Sequence, residues 1–280
     1  HLRDGVYMAK YIYWLKNQVK NGADLTEKTA SDYLDNLRRE DELFLDLSFP
    51  TISGYADNGA IVHYEAEYET AKKLEAKGLY LFDSGATYKD GTTDVTRTIS
   101  LGENTYEEKL HYTLVTVGML RLLNTKFKRG AIGVSLDIKA REALWEYGLD
   151  YNHGTGHGVG FVNTVHEMPT SIRNKINKDV YRNLEFEPGM IMSDEPGVYI
   201  SGKHGIRMEI LMTVTDKGEG FLGFEPLTMA PIDSEPLLVD VMTKKDIEFY
   251  NKYQKQVYDS ISYGLSEEEK AWLKELTKEI

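Results

Sequence analysis

His153-Gly-Thr-Gly-His157-Gly-Val-Gly160 sets two histidines four residues apart, a spacing at which side chains share one face of a helix. Glycines at 154, 156, 158 and 160 argue against that helix, since each costs about 1 kcal/mol relative to alanine in a helix interior. The segment therefore reads as extended, where positions 153 and 157 again face the same way. Its glycines would let another backbone approach closely. They miss the dinucleotide pattern G-x-G-x-x-G, because Val159 and Phe161 stand where its last glycine would fall, so a nucleotide site is disfavoured. With His166-Glu167, three of the seven histidines lie within 14 residues. They are candidates for metal or proton chemistry, with satisfied structural histidines as the plain alternative.

On the amino-terminal side of this stretch, Leu79-Tyr-Leu-Phe82 reads as a buried strand ending in Asp83, and Asp94 opens a β-branched segment running from Thr93 to Ile99. If those two segments pair, both carboxylates approach one point. Taken singly, each acid could merely cap a turn. On the carboxy-terminal side, Glu195 follows the apolar run Met190–Met192, and Glu209 alternates into Ile210, Met212 and Val214. Both glutamates thus read as lying on buried strands. A buried ionised carboxylate costs several kcal/mol unless it is paired or bound to metal, and four together would repel. Two divalent cations would cancel their formal charge. Asp83, Asp94, His157, Glu195 and Glu209 form the hard-ligand set of a dinuclear manganese, cobalt or zinc hydrolase, in which two metals lower the pKa of a shared water.

The rest of the chain reads as alternating helices and strands. Leu2 to Val19 is an amphipathic helix stopped near Gly22, and Thr26 caps a second helix toward Arg39. Leu45 to His63 is strand-like, broken by Pro50 and by Asn58-Gly59, a hairpin signal. Thr105-Tyr-Glu-Glu108 is a capping box for a helix to about Phe127, and Ser135 to Tyr147 is another, stopped by Gly148. Tyr151 to Met229 reads as short strands and glycine turns. Helices follow from near Thr243 and from Ser266. With no low-complexity linker and no repeat, one mixed α/β domain is the simplest account.

Composition narrows the function. The 280 residues contain no cysteine, which excludes a disulfide scaffold, a thiolate metal site and a cysteine nucleophile. A net charge of −12 would repel nucleic acid and anionic lipid, so neither is an expected partner. No apolar run approaches the roughly 18 residues of a membrane span. The chain opens on His1 inside a helix already under way, which is read as a cut within a longer protein.

At this level of detail the sequence resembles the catalytic domain of the cytosolic-type Xaa-Pro aminopeptidases (aminopeptidase P), pita-bread metallopeptidases related to methionine aminopeptidase and prolidase. The resemblance rests on Asn58-Gly-Ala-Ile-Val-His63-Tyr, Asp83-Ser-Gly, Thr92-Thr-Asp94-Val-Thr-Arg-Thr98, His153-Gly-Thr-Gly-His157-Gly-Val-Gly, Val165-His166-Glu, Asp194-Glu195-Pro-Gly-Val-Tyr199 and Gly205-Ile-Arg207-Met-Glu209, in family order. It covers essentially the whole chain, including His1-Leu-Arg-Asp4 and Phe224-Glu-Pro-Leu-Thr228.

The resemblance implies a pita-bread α/β (α+β) fold: a curved, mostly antiparallel sheet covered by helices, in pseudo-twofold halves. It implies two divalent ions, manganese first, with zinc or cobalt as alternatives. Asp83 would chelate one metal, Asp94 and Glu209 would bridge, His157 would bind the second, and Glu195 would be a ligand that also handles the proton of the bridging water. His63 and His166 would stand near the scissile carbonyl, with His153, Tyr199 and Arg207 around the penultimate proline. The implied reaction is release of the first residue from a peptide with proline second, in a cytoplasmic homodimer. Residues 1–280 would be one catalytic domain, the carboxy-terminal part of a three-domain chain. A prolidase, which clamps a dipeptide carboxylate, and a noncatalytic peptide-binding module of the same fold remain as alternatives.

Overall fold

Helix starts are written locally in this chain. The side chains of Thr26, Thr105, Thr243 and Ser266 each accept the backbone N–H three residues on, and the side chains of Thr29, Glu108, Asp246 and Glu269 accept the cap residue's N–H in return. The computed structural model describes residues 1–162, 164–176, 178 and 184–280. Within the stretch 151–229, read above as short strands and turns, residues 163, 177 and 179–183 lie outside the described residues.

The first half of the chain runs α1 Leu2–Lys20, α2 Glu27–Arg39, β1 Phe44–Leu47, β2 Ile52–Tyr55, β3 Leu79–Ser84, β4 Ala86–Tyr88, β5 Gly91–Thr92 and β6 Val95–Ser100. It continues through α3 Tyr106–Leu123, β7 Lys126–Lys128, α4 Gly133–Leu136, α5 Ile138–Trp145, β8 Gly156–Gly158 and β9 Glu167–Ile172. The remainder is β10 Ile191–Asp194, β11 Gly197–Ile200, β12 His204–Arg207, β13 Ile210–Asp216, β14 Phe221–Pro226, α6 Lys244–Ile261 and α7 Glu267–Leu276. The sheet orders are β1-β4-β5, β2-β3-β6, β7-β14-β13-β10-β8-β9 and β11-β12. Every described strand pairing is antiparallel.

The mixed α/β architecture with antiparallel strands is thus as expected, with its sheet divided into four pieces rather than continuous. Two buried clusters hold it. Met8, Tyr11, Ile12 and Leu15 of α1, with Leu34 of α2, pack on Tyr80, Phe82, Val95 and Ile99 of the first sheet layer. A larger cluster joins Val115, Met119 and Leu122 of α3 and Tyr253 and Val257 of α6 to Met192, Met212 and Val214.

Three local expectations change. Asn58-Gly59 does not turn a hairpin: residues Ala56–Ala60 form a 3₁₀ turn that lies against β12. A Cβ on Gly205 would meet Gly59 O at 1.7 Å, so the two backbones touch where a side chain would separate them. The helix after Thr105 stops at Leu123, and Phe127 instead sits on β7, paired with Leu222. The 135–147 helix is interrupted at Asp137, whose carboxylate accepts from Arg141 and Thr155.

Candidate active site

The register of β3 against β6 sets Asp83 opposite Thr96, and Asp94, immediately before β6, stands two residues earlier, in phase with Thr96. The two acids therefore meet through the pairing expected of them, although β4 and β5 intervene in sequence. His157 lies mid-strand on β8, between β9 and β10. Its glycine neighbours are needed for this, because a Cβ at 156 would strike Ser193 O at 2.0 Å and one at 158 would strike Glu167 O at 2.3 Å. His153 does not share that strand: it precedes β8 in a bend.

Glu195 and Glu209 sit at strand ends rather than within strands. Glu195 directly follows β10, with its N–H donating to Thr155 O, and Glu209 directly precedes β13, with its N–H donating to Thr96 O. The second bond ties the two halves together at the site.

One oxygen each of Asp94 and Glu209 and one nitrogen of His157 lie within 4.8 Å of one another. His157 Nε2 is 3.5 Å from Asp94 Oδ2 and 3.3 Å from Glu195 Oε1. Its Nδ1 lies 2.9 Å from Gly158 O, and since a carbonyl only accepts, Nδ1 carries the proton and Nε2 faces the acids. Asp83 Oδ1 and Glu209 Oε1 are buried without a hydrogen-bond donor among the described residues. Burial first, then the charges of Glu209, Asp83 and Glu195, push Asp94 well above the carboxylate range. Burial first, then the charges of Asp83 and Glu195, push Glu209 up to about 8. Burial works against both members of the His157–Glu195 pair, but their hydrogen bond and mutual charge prevail, lowering Glu195 and raising His157 to about 9. The site thus gathers more carboxylate than it has protein cations to balance. Bare buried oxygens, an imidazole nitrogen aimed at them and an all-O/N donor set fit two divalent ions.

Arg207, fully buried, fixes the surroundings: Nη2 donates to Asp83 Oδ2 at 2.7 Å, Nε to Thr96 Oγ1 at 3.1 Å and Nη1 to Tyr199 OH at 2.9 Å. Tyr199 OH lies 2.8 Å from His153 Nε2, and His153 Nδ1 lies 2.8 Å from Gly154 O. Burial lowers the His153 pKa, so its neutral Nε2 accepts from the tyrosine. A directed chain runs from Arg207 through Tyr199 to His153. His166 packs edge-on to His157 with ring centroids 4.3 Å apart, and burial followed by the His157 charge lowers its pKa. His63 is exposed. Asp83, Asp94, His153, His157, His166, Glu195, Arg207 and His63 all line one cleft of about 590 Å³, with Val62, Val165, Ile52 and Arg173 among its walls.

Sequence reading passed over Thr96, which donates to Glu209 Oε2 at 2.9 Å, and Ser193, which accepts from His157 N–H and donates to Glu195 Oε1. Their signal was alternation: Thr96 is in phase with Asp94, and Ser193 precedes Glu195 by two. It also passed over Arg97, whose guanidinium is fully buried and donates to Glu209 O at 2.6 Å.

Residues 3–216 match the family model described as metallopeptidase family M24. The chain belongs to that family. Residues 220–280 match the model for the C-terminal region of peptidase M24. Among curated M24 relatives, the chain is 39% identical over 307 residues to aminopeptidase P1 of Arabidopsis thaliana, covering all of this chain and 47% of that protein. It is 40% identical over 290 residues to a probable Xaa-Pro aminopeptidase P of Tuber melanosporum, covering all of this chain and 46% of that one. The chain thus spans about half the length of the curated relatives it matches. Among solved structures, X-prolyl aminopeptidase of Caenorhabditis elegans, described as a cytosolic enzyme with a di-nuclear active site, superposes with a TM-score of 0.94 at 36% identity, covering all of this chain and 46% of that one. Xaa-Pro dipeptidase of Bacillus anthracis superposes at 0.67 with 28% identity, over 83% of this chain and 60% of that one.

Proposed function

We propose that residues 1–280 form the catalytic domain of an Xaa-Pro aminopeptidase, which releases the first residue of peptides carrying proline second. The observation that carries this reading is the convergence of Asp94, His157 and Glu209 within 4.8 Å beside bare buried oxygens of Asp83 and Glu209. Asp83, Asp94, His157, Glu195 and Glu209 would hold two divalent ions, and the oxygen-rich set favours manganese over zinc or cobalt. Such ions, when bound, polarise a carbonyl and acidify water.

The chain's own residues supply the rest. Glu195, hydrogen-bonded to Ser193 and facing His157, takes up and passes on a proton at Oε1. His166 Nε2 or Nδ1, uncharged near neutrality, donates to the developing carbonyl oxygen or to the leaving nitrogen. His63 completes that side of the cleft. Arg207 and His153, which line the cleft, and Tyr199, hydrogen-bonded between them, form a rigid edge for a proline ring. An Xaa-Pro bond has no N–H, so recognition must grip the ring rather than an amide donor. The names and the di-nuclear description of the relatives support this reading. We extend it to a homodimer in the cytosol. Among the described residues no helix is long and apolar enough to cross a membrane.

Rates on Xaa-Pro-Yaa, Xaa-Ala-Yaa and Xaa-Pro test the proposal. Fastest release from Xaa-Pro-Yaa is expected, with discrimination against alanine of at least the roughly 10² that ring packing provides. Equal cleavage of the alanine peptide would remove the proline pocket. Fastest cleavage of the dipeptide would make the enzyme a prolidase.

A further inference from the structure

Glu27, the first residue of α2, is a completely buried carboxylate with no ion pair among the described residues. Burying such a charge is costly unless hydrogen bonds replace its water. Here they come from one stretch of chain. Tyr55 N–H donates to Oε1 at 2.7 Å, Asn58 Nδ2 lies 3.0 Å from Oε1 and 3.1 Å from Oε2, Tyr64 OH donates to Oε2 at 3.0 Å, and Lys72 N–H donates to Oε2 at 2.7 Å. The backbone of Glu27 adds its N–H to Lys72 O, and its carbonyl accepts from Ser53 Oγ. The amino-terminal end of α2 favours the negative charge.

Those donors run from residue 55 to residue 72, two of them inside residues 61–78, which contain no helix or strand between the 3₁₀ turn and β3. A connection of that length without structure of its own is uncommon in a compact domain unless it serves a site. This one supplies Val62, His63, Tyr64 and Glu65 to the wall of the cleft. His63 lies between Asn58 and Tyr64, and those two side chains also bond each other, Asn58 Nδ2 to Tyr64 OH at 2.9 Å. His63 itself is exposed at the mouth of that cleft.

We infer that Glu27 is a positioning residue that fixes the His63–Glu65 wall of the substrate cleft by gathering the donors of the segment around it. This rests on the peptidase reading for its catalytic consequence, but the anchoring itself is measured without turnover. Glu27→Gln keeps the size and replaces one acceptor oxygen by an NH₂ group, so that the backbone N–H of either Tyr55 or Lys72 loses its acceptor. Tyr64→Phe removes a single donor and guards against a Glu27 variant that does not fold.

In the metal-loaded protein, limited proteolysis within 61–72 should accelerate by about tenfold or more in Glu27→Gln, and by less in Tyr64→Phe. The His63 ring resonance, identified by its loss in His63→Ala, should shift in both variants. On Xaa-Pro-Yaa, the Glu27→Gln/His63→Ala double variant should be no slower than the slower single variant. A segment that stays protected with the His63 resonance unmoved would overturn the anchor. Multiplying rate losses in the double variant would overturn action through His63. A wild-type chain inactive on Xaa-Pro-Yaa counts against the peptidase reading alone, because proteolysis and the resonance still decide the anchor.

Discussion

Thr96 Oγ1 donates to Glu209 Oε2 at 2.9 Å while receiving Arg207 Nε at 3.1 Å, so one hydroxyl orients a carboxylate from the other half of the fold. Its proton has one direction to point, since the guanidinium only donates. Glu209 Oε1 is left without a hydrogen-bond partner among the described residues, in a carboxylate that meets Asp94 and His157. Thr96→Val preserves shape and removes that orientation. It should weaken metal binding or activity by about 10- to 100-fold, the usual range for a partner of a ligand, and Thr96→Ser should restore most of the loss. Metal titration of the three proteins checks this, and a valine variant with wild-type affinity would sink it.

Removing an acid at the centre should do more. Asp94→Ala or Glu209→Ala deletes a carboxylate that is buried among like charges. Each should abolish hydrolysis and lower bound metal below two ions per chain, while the metal-free variant stays folded or melts higher than metal-free wild type, because repulsion is relieved. Unchanged turnover in either variant would end the dinuclear reading.

The same repulsion predicts a pH dependence. Glu209 is raised to about 8 in the fold, so its favourable contribution is complete below the unfolded carboxylate range and is lost as pH rises through 8; Asp94 shifts in the same direction. His157, raised to about 9, contributes fully below its unfolded value near 6.5 and loses that as pH rises through 9. Glu195, lowered, would lose its contribution only in acid. Between pH 6.5 and 9 the metal-free protein should therefore lose stability, whereas divalent ions favour the deprotonated set. The rise in Tm on adding metal should be larger at pH 9 than at pH 6.5. An equal rise at both would contradict the arrangement of charges.

His166 should separate catalysis from metal retention. Its ring packs on His157 and lines the cleft. His166→Ala should lower kcat by about 10² to 10⁴ with metal content near wild type. Loss of metal along with activity would make His166 a ligand and would revise the role given to His157.

How much of this was legible beforehand follows the range of each interaction. The caps at Thr26, Thr105, Thr243 and Ser266 depend on residues three apart, and all were readable. The pairing of the segments that carry Asp83 and Asp94 was readable because two β-rich runs flank a turn-rich link. Asn58-Gly59 misled, since its conformation is set by contact with Gly205 and by Glu27, both far away in sequence. Arg97 carries no local signature, and the alternation that sets Thr96 in phase with Asp94 and Ser193 with Glu195 names no partner. Only the fold brings Glu209 to Thr96 and Arg97 and the His157 N–H to Ser193.

Arg207 offers the sharpest test of the substrate edge. Its three nitrogens reach three separate elements: Asp83 at the end of β3, Thr96 on β6 and Tyr199 on β11. A lysine would keep the charge beside Asp83 but has no planar fork with which to serve all three. Arg207→Lys should therefore free Tyr199, whose hydroxyl would keep His153 but lose its fixed direction. If that edge holds the proline ring, KM for Xaa-Pro-Yaa should rise and the preference over Xaa-Ala-Yaa should shrink toward unity, with two metals still bound because Asp83 Oδ1 never depended on the arginine. Tyr199→Phe should reproduce part of the specificity loss with little effect on metal content. A lysine variant that loses metal but keeps its proline preference would assign Arg207 to the metal centre alone and leave the proline pocket to other residues of the cleft.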